Sequence, residues 1–393
     1  MPGIGRRVAI TGFGVAAPCG IGKEAYWQGL LGPAITGTQS VTFTDWDPLP
    51  YYDSPKNARR ADAVEQFATA SAIEAFEHAG RADVDPRRFG VIYGTGIGGL
   101  RTLEEQVEIR LSKGEKRVSP FLVPMMMGNA SGAAISMRFG LQGPNETICT
   151  ACAAATHAIG YAARLIMWGR CDAMVTGGSE AAATATSLGG FGNMTALSTS
   201  GSSRPFDIDR DGFVMGEGSA TFILEEWGVA TARGATIYGE VLGSASTADA
   251  HHITAPAPGG TGAIHCMHLA LDEAELRPGD IRQINAHGTS TPLNDAAEAA
   301  AVEAVFGPDG PPMTSTKGVT GHALGAAGAL EAAAVLLSMQ HGIIPPTAGT
   351  TRLSPDMHVD VIMGEPRPWV PGPTISNNFG FGGHNGSVII APA

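Results

Sequence analysis

The sequence predicts an α/β fold made of two similar halves, on three observations. Short β-type runs alternate with helical runs up to residue 226, and the alternation restarts at Tyr238. Each half contains one long helical run rich in Ala and Gly, at residues 153–169 and 322–340. A helix that is apolar on every side is buried on every side. Strands and helices that alternate around two buried helices indicate stacked layers of sheet and helix.

The two halves, predicted at 1–235 and 236–393, repeat a similar order of elements. The first half has strand patterns at 7–12, 89–94, 146–150, 172–178 and 217–226, and helical patterns at 62–79, 120–138 and 153–169. The second half has strand patterns at 238–245, 282–286, 314–317, 359–363, 374–377 and 386–391, and helical patterns at 262–275, 294–306 and 322–340. This repetition indicates an internal duplication.

Composition narrows the classes of function. The 393 residues carry a formal net charge of -12, so a nucleic acid is not expected as a partner, since phosphate binding needs a basic face. No apolar run reaches the length of a membrane span, and a membrane is not expected as a partner either. Five cysteines, an odd number in a long chain, favour reduced thiols in a cytoplasmic protein over a disulfide framework.

Cys152 is the predicted nucleophile. It lies where a β-type run, Thr147–Thr150, changes into the helical run at 153–169. The free backbone N–H groups and the dipole at the start of a helix favour the thiolate over the thiol. Two other interpretations stay open at this point: a structural buried cysteine, and a redox pair formed by the C-x-x-C of Cys149 and Cys152.

Three later stretches contain more Gly, His, Asn and Thr than a core element needs. Asn285–Thr291 ends a strand in a turn, and Ser315–Glu331 opens the second buried helix with Lys317 and His322. Asn377–Asn385 is a glycine-rich turn between the last two strands. A lone histidine is more often structural. Two histidines at the ends of core elements, together with a lysine and a cysteine at a strand–helix junction, indicate an active site.

These stretches resemble the β-ketoacyl-acyl carrier protein synthases, most closely the elongating FabF-like branch of the thiolase superfamily. The motifs Thr-Ala-Cys152, Asn-Ala-His287-Gly-Thr-Ser-Thr, Gly-His322-Ala-Leu-Gly-Ala-Ala-Gly and Phe-Gly-Phe381-Gly-Gly occur in the family's order, and the resemblance covers essentially the whole chain. It implies a thiolase-like, five-layered αβαβα fold and a decarboxylative Claisen condensation in fatty-acid or type II polyketide elongation. It also implies an acyl carrier protein as partner, and a homodimer or a heterodimer with a chain-length subunit.

The resemblance implies a role for each member of the catalytic set, which is Cys152, His287, His322 and Lys317 with Glu331 and Phe381 in support. Cys152 would carry the acyl chain, and the two histidines would hold the malonyl thioester carbonyl while carbon dioxide leaves. The backbone N–H groups of Cys152 and Phe381 would hold the oxyanion. Lys317 would support the second histidine, His322, electrostatically through Glu331.

The resemblance also implies the surrounding contacts. No catalytic metal or cofactor is expected beyond the phosphopantetheine arm that carries the substrates. The implied substrate-binding residues are Ile97, Phe191, Thr254, Thr289, Thr291 and Phe379. The implied carrier-docking residues are Lys56, Arg59, Arg60, Lys116 and Arg117. A structural water or monovalent cation is implied near Asn285, Glu331, Ser376 and Asn377.

The chain departs from the family pattern in three places, of which the first is the segment between about Val41 and Arg60, shorter here than in typical elongating enzymes. Asn193, Met194 and Thr195 stand where relatives commonly have two alanines and an arginine that touches the carrier, and Ala155 stands where relatives usually have glycine. Met125–Met127 lies in a segment that in relatives caps the acyl pocket of the partner. These departures suggest specialised polyketide work rather than housekeeping fatty-acid synthesis.

Two other functions are weighed against a synthase. A non-catalytic chain-length subunit shares the fold but usually lacks the nucleophile or a histidine, whereas this chain has Cys152, His287 and His322. A cysteine hydrolase would use one histidine with a carboxylate or Asn orienter, which leaves the second histidine and Lys317 unexplained. The acyl length, the pathway and the choice between self-pairing and a different partner stay open.

Overall fold

The computed structural model describes residues 5–393, and residues 1–4 of the predicted first half lie outside this range. The strands are β1 Val8–Ala17, β2 Gly20–Ile21, β3 Ser40–Val41, β4 Phe89–Gly94, β5 Asn145–Ile148, β6 Ala173–Glu180, β7 Met215–Gly216, β8 Gly218–Glu226, β9 Gly239–Ala248, β10 Gln283–Asn285, β11 Met313–Thr314, β12 Ile343–Ile344, β13 Arg367–Pro368, β14 Thr374–Gly380 and β15 His384–Ala391. The α-helices are α1 Lys23–Leu30, α2 Pro55–Ala58, α3 Ala63–Ala79, α4 Leu100–Lys113, α5 Leu122–Met126, α6 Ala130–Phe139, α7 Ala154–Met167, α8 Ala185–Asn193, α9 Trp227–Ala232, α10 Thr261–Glu273, α11 Pro292–Phe306, α12 Lys317–Thr320 and α13 Ala327–His341. Across residues 5–393, none of the helices combines the length and the apolar character needed to cross a bilayer.

The main sheet contains two copies of one five-strand pattern. Its order is β11-β10-β14-β15-β9-β1-β8-β6-β4-β5, with β2 beside β1. Outward from the centre, the series β1-β8-β6-β4-β5 pairs antiparallel, antiparallel, parallel and parallel, and the series β9-β15-β14-β10-β11 does the same. The copies join where Val8–Ile10 of β1 pairs with Gly239–Val241 of β9. The predicted α/β fold with two similar halves is confirmed, while the boundary at residue 235 stays a prediction.

Two buried helices pack against strands of both copies. α7 follows β5 and contacts β4, β6, β9 and β15, whereas α13 follows β11 and contacts β6, β8, β14 and α7. Glycine permits the close approach of the two helices, since a Cβ on Gly328 of α13 would lie 2.1 Å from Oγ1 of Thr156 on α7. The methyl group of Ala155 faces Gly178 of β6, which has no side chain. A Cβ at position 178 would lie only 2.7 Å from the Ala155 Cβ, so the glycine leaves room for the methyl group. The departure from the family glycine is thus accommodated by a glycine opposite.

The second buried helix is shorter than its sequence pattern suggests. The helix predicted at 322–340 begins only at Ala327, since Gly321 and Leu324 take positive φ angles of 65° and 45°. Positive φ interrupts the helical hydrogen-bond pattern. The turn that carries His322 is therefore separate from the helix it precedes.

Three other predicted elements are wrong in their extent. The strand predicted at 314–317 is limited to β11, Met313–Thr314, and α12 already begins at Lys317. The helix predicted at 120–138 is two helices, α5 and α6, because Met127 between them is extended. The strand predicted at 359–363 contributes only a single bridge, from Val361 to Met313 of β11. The pattern also missed α4, whose apolar residues lie mostly outside the core: only Thr102 of this helix is buried.

Candidate active site

Strands from both copies of the five-strand pattern lead into one cavity. β5 leads into Cys152, and its counterpart β11 leads into Lys317 and His322. β10 leads into His287, and β14 leads into Phe381. The carboxyl ends of parallel strands are the usual place for functional groups in α/β proteins. One side-chain N or S atom from each of Cys152, His287 and His322 lies within 4.8 Å of the other two, so the structure brings these three predicted catalytic groups together.

Cys152 lies in a short 3₁₀ turn, Ala151–Ala153, directly before α7. Its sulfur lies 3.0 Å from Nε2 of His322, and the backbone N–H groups of Phe381 and of Cys152 itself interact with it. The predicted preference of Cys152 for the thiolate over the thiol is wrong for this structure. Burial raises the pKa of Cys152 to about 12, although the Lys317 charge and these N–H groups lower it. The thiol must give its proton to a base when it reacts, and His322 is within reach.

We expect alkylation of Cys152 to accelerate with pH without a plateau near neutrality. With a pKa of about 12 against 9.0 for an ordinary cysteine, the thiolate fraction below pH 9 is lower by about 10³. The rate of inactivation by iodoacetamide should rise about tenfold per pH unit between pH 7 and 10. Intact-protein mass spectrometry would follow the adduct in a Cys149→Ala background, which removes the exposed neighbouring thiol. A plateau below pH 8 would instead indicate a preformed thiolate–imidazolium pair.

His287 is held in one tautomer by the groups around its Nδ1 atom. Nζ of Lys317 lies 3.4 Å from Nδ1, and Nδ2 of Asn378 lies 3.2 Å from it. Both neighbours are hydrogen-bond donors, so Nδ1 accepts and the proton of the neutral ring is on Nε2. Burial and the Lys317 charge hold the pKa of His287 well below its usual range. His287 is thus a neutral donor through Nε2.

His322 is neutral as well, but its tautomer is not fixed in the same way. Burial and the Lys317 charge hold the pKa of His322 well below its usual range. Its Nδ1 is buried without a hydrogen-bond partner in the part of the chain that the structure describes. The ring lies edge-on to His287, with the ring centroids 5.3 Å apart. Nε2 of His322 can therefore accept a proton from Cys152 in one step and donate a hydrogen bond in another.

Lys317 supports the first histidine directly, which corrects the predicted path through Glu331 to His322. Its buried ammonium donates to the carbonyl oxygen of His287 at 2.5 Å and forms an ion pair with Glu331. Glu331 also accepts from Nδ2 of Asn378 at 2.7 Å, which fixes the orientation of that amide beside His287. The sequence prediction named Glu331 but missed Asn378. The lysine charge still acts on both rings, since it lowers both pKa values.

Two further buried acids hold the turn that carries His287, and sequence reasoning missed both. Glu298 accepts from the backbone N–H groups of His287 and Gly288, each at 2.7 Å. Asp295 accepts from the N–H of Thr289 at 2.9 Å. A signal for both acids was present in the sequence. They are spaced three residues apart in the first half of α11, directly after the His-Gly-Thr turn, and residues i and i+3 share one helix face, so both carboxylates could be expected to face that turn.

The predicted water or cation group is only partly assembled. Asn285 and Ser376 are direct partners in the pairing of β10 with β14, and both are buried. The Asn285 amide and the Ser376 hydroxyl have no hydrogen-bond partner among residues 5–393, so they fit a bound water or monovalent cation. The side chain of Asn377 does not belong to this group, since its Nδ2 lies 3.4 Å from the sulfur of Met267.

A cavity of about 590 Å³ surrounds the catalytic groups. The six predicted substrate-binding residues all line it, namely Ile97, Phe191, Thr254, Thr289, Thr291 and Phe379. Thr289 and Thr291 share a hydrogen bond of 2.9 Å between their hydroxyls. Met194 and Thr195, which replace family residues, also line the cavity, and Met194 is 47% exposed. The departure at these positions therefore changes the wall of the substrate cavity as well as the surface.

The five predicted carrier-docking residues are all exposed: Lys56, Arg59, Arg60, Lys116 and Arg117. The guanidinium of Arg60 lies 4.0 Å from the centroid of the Phe121 ring, close in sequence to Lys116 and Arg117. Arg60 of the first cluster thus contacts the chain segment that follows the second cluster. Their role in docking stays a prediction.

Two family models match the chain. The beta-ketoacyl synthase N-terminal domain matches residues 33–230, and the C-terminal domain of the same family matches residues 238–351. A 3-oxoacyl-[acyl-carrier-protein] synthase 2 from Synechocystis sp. is 42% identical over 402 residues, which cover 97% of this chain and 96% of the relative.

Two solved structures extend the comparison to the fold. The ishigamide ketosynthase/chain length factor has 32% sequence identity and a TM-score of 0.92, and the match covers 99% of each chain. A type II polyketide ketosynthase bound to a hexaketide, in complex with its acyl-carrier protein, has 30% identity and a TM-score of 0.87, with 99% of each chain covered. The predicted thiolase-like fold is confirmed, and the structural neighbours include a carrier-protein complex and a ketosynthase with a chain length factor.

Proposed function

Because the chain belongs to the beta-ketoacyl synthase family, we propose that Cys152 accepts an acyl chain and joins it to a malonyl unit on an acyl carrier protein, with loss of carbon dioxide. The chain is an acyltransferase of the 3-oxoacyl-carrier-protein synthase type. The observation that carries the proposal is the convergence of one thiol and two neutral imidazoles within 4.8 Å in a cavity.

The first step is transfer of the acyl group to sulfur. The Cys152 thiol gives its proton to Nε2 of His322, and the sulfur attacks the thioester carbonyl. The backbone N–H groups of Cys152 and Phe381 hold the oxyanion. The tetrahedral intermediate collapses with cleavage of the bond to the phosphopantetheine sulfur, which takes the proton from His322. The product is an acyl thioester on Cys152.

The second step forms and uses a carbon nucleophile. As the bond to the malonyl carboxylate breaks, its electron pair moves to the thioester oxygen, and Nε2–H donors of His287 and His322 hold this enolate. The enolate carbon attacks the acyl carbonyl on Cys152, and the thiolate leaves. The Cys152 thiolate then takes up a proton from solvent, and this is the one proton that the overall reaction consumes. A water or monovalent cation between Asn285 and Ser376 would only satisfy buried polar atoms behind the site.

The alternative of a non-catalytic chain-length subunit is not favoured by the site. A subunit that only shapes a partner's cavity has no need of a thiol 3.0 Å from a histidine or of a lysine that keeps a second histidine neutral. The homologues named as 3-oxoacyl-carrier-protein synthases also support the catalytic interpretation.

Intact-protein mass spectrometry tests the proposed function. The protein is incubated with acyl carrier protein thioesters of different chain lengths, and malonyl carrier protein is added in a second step. We expect an acyl adduct on Cys152 that disappears as β-ketoacyl carrier forms, and the preferred acyl group will distinguish fatty-acid from polyketide substrates. Absence of any adduct, also with a co-expressed partner subunit, would favour the chain-length subunit.

The open edge of β5 is the proposed site of dimer formation. β5 pairs with β4 on one side only, and Asn145 and Glu146 are exposed. α6 packs beside β5, and α5 packs beside α6. Both helices expose apolar side chains, since Val123 of α5 is 65% exposed and Met137 of α6 is 77% exposed. An unpaired edge strand next to exposed apolar residues is suited to pair with a second chain. The partner is either a second copy or a chain-length subunit.

We expect Thr147→Pro to convert a dimer into monomers. The carbonyls of Pro144 and Ile148 accept from the N–H groups of Val91 and Thr95 on the β4 side, so by alternation the Thr147 N–H faces the open edge. Proline removes that donor and leaves the pairing with β4 intact. Sedimentation velocity would report the mass, with Thr147→Val as the control that keeps the N–H group. A dimer that persists in the proline variant would place the interface elsewhere.

A further inference from the structure

Glu180 is a fully buried carboxylate that the reaction steps above do not use. It ends β6, and its oxygen atoms accept from two separate segments. Oε2 accepts from the N–H of Gly96 at 2.7 Å and from the N–H of Gly325 at 3.1 Å, and Oε1 lies 3.5 Å from Oγ1 of Thr95. Burial raises the pKa of Glu180 to about 7, although these N–H groups lower it. One carboxylate oxygen thus joins two segments that are far apart in the sequence.

Both segments line the substrate cavity. The first, residues 95–99, contains Ile97, whose side chain is 42% exposed, and we name it the Ile97 loop. The second, residues 321–326, contains His322 and Leu324, and we name it the His322 turn. The Ile97 loop carries a predicted substrate-binding residue, and the His322 turn carries the group proposed to take the proton of Cys152.

The two segments approach each other closely through backbone atoms at Gly96 and Gly325. A Cβ on Gly325 would lie 2.0 Å from the nitrogen of Gly96, so no side chain fits between them. Leu324 in the His322 turn has a φ angle of 45°, which is unfavourable for a residue with a side chain. A strained conformation persists only where its surroundings hold it. The hydrogen bonds to Glu180 hold the neighbouring residue in place.

We propose that Glu180 is a positioning residue that couples the Ile97 loop to the His322 turn, so that the acyl chain on Cys152 influences the geometry of His322. The inference rests on the proposed function, because it requires an acyl chain on Cys152. A chain that contacts Ile97 moves or fixes the Gly96 N–H, and the shared oxygen transmits this change to Gly325. Glu180 therefore contributes to chain-length dependence without contacting the substrate.

Substitution by glutamine tests the coupling. An amide in place of the carboxylate offers a single neutral oxygen to the Gly96 and Gly325 N–H groups, with its NH₂ group toward the Thr95 hydroxyl. A neutral oxygen accepts more weakly than a carboxylate oxygen, so the common anchor of the two segments is weakened. We expect Glu180→Gln to lower the malonyl decarboxylation rate about tenfold. We also expect it to change the ratio of acylation efficiencies for four-carbon and twelve-carbon acyl carriers at least about fivefold.

The matched control is Glu225→Gln on β8. Glu225 is a fully buried carboxylate in the same sheet, but it pairs with Arg233 and Thr11 and does not line the cavity. Glu225→Gln should lower thermal stability without changing the chain-length ratio. If Glu180→Gln leaves that ratio at the parent value, or changes it no more than the control does, the coupling is refuted.

Hydrogen–deuterium exchange of the unsubstituted protein keeps the inference testable if Glu180→Gln fails to fold. Exchange is compared between protein acylated on Cys152 with a four-carbon and with a twelve-carbon chain, after intact mass has shown both adducts. We expect the Ile97 loop and the His322 turn to change their protection together. A change confined to the Ile97 loop would overturn the inference, whereas failure to form either adduct would count against the proposed function instead.

Discussion

Replacing Cys152 by alanine is expected to lower acyl transfer by a factor on the order of 10⁵ or more, because the covalent intermediate can no longer form. Malonyl decarboxylation should persist in the same variant, since the Nε2–H donors that hold the enolate belong to His287 and His322 and remain in place. The acyl adduct is measured by intact mass, and decarboxylation by conversion of malonyl carrier to acetyl carrier.

The control for this variant is Cys149→Ala. Cys149 is exposed and donates to the carbonyl oxygen of Gly96, so it lies near the site without facing the imidazoles. It should retain acyl transfer close to the parent rate. An equal loss in both cysteine variants would support the C-x-x-C redox interpretation against the nucleophile.

Replacing His287 by alanine is expected to lower malonyl decarboxylation by about 10²- to 10³-fold, the usual effect of removing one oxyanion donor. His322→Ala should lower it to a similar extent and should also slow acylation, because His322 is the proposed base, with Nε2 at 3.0 Å from the Cys152 sulfur. Burial and the Lys317 charge hold the pKa of His287 well below its usual range, so Nδ1 stays free to accept from Asn378 at pH 6.5 and above. Protonation would leave the Nε2–H donor in place but remove the acceptor that orients the ring, so the His287 contribution should change only when the pH drops well below 6.5.

His341→Ala is the control for the histidine variants, because His341 stacks on Trp27 at 4.4 Å and does not line the cavity. Its decarboxylation rate should match the parent. If His287→Ala and His322→Ala both decarboxylate at the parent rate, the assignment of the two histidines as enolate donors is wrong.

The sequence predicted residues that the structure brings together at one cavity, but it did not predict their hydrogen-bond partners. Cys152 and His322 are recognisable because each stands where a strand changes into a buried helix, and His287 ends a strand in a glycine turn. Which histidine Lys317 contacts depends on packing between residues 30 positions apart, and no local pattern encodes it. The same limit explains the error on Cys152, because the helix terminus is visible in the sequence whereas the burial that raises the pKa is not.

The choice between Asn377 and Asn378 could not be predicted from the sequence for a different reason. Successive residues of a strand point to opposite faces, so naming the wrong one of two asparagines reverses the assignment. Asn377 faces Met267 of α10, whereas Asn378 faces Glu331 and His287. The neighbouring Ile375, which belongs to the same cluster as Met267, indicates the face of Asn377 once the register of β14 is known.

The junction between the two copies of the five-strand pattern has a consequence for folding kinetics. Cys152 and His322 are 170 residues apart in the chain, and β1 pairs with β9 over a separation of more than half the sequence. Contacts of such long range are slow to form because loop closure precedes any gain from packing. On refolding, helical signal should return before activity. Cys152 in an incompletely folded chain would lack the burial that raises its pKa, so the nucleophile is most open to alkylation or oxidation before the enzyme is complete.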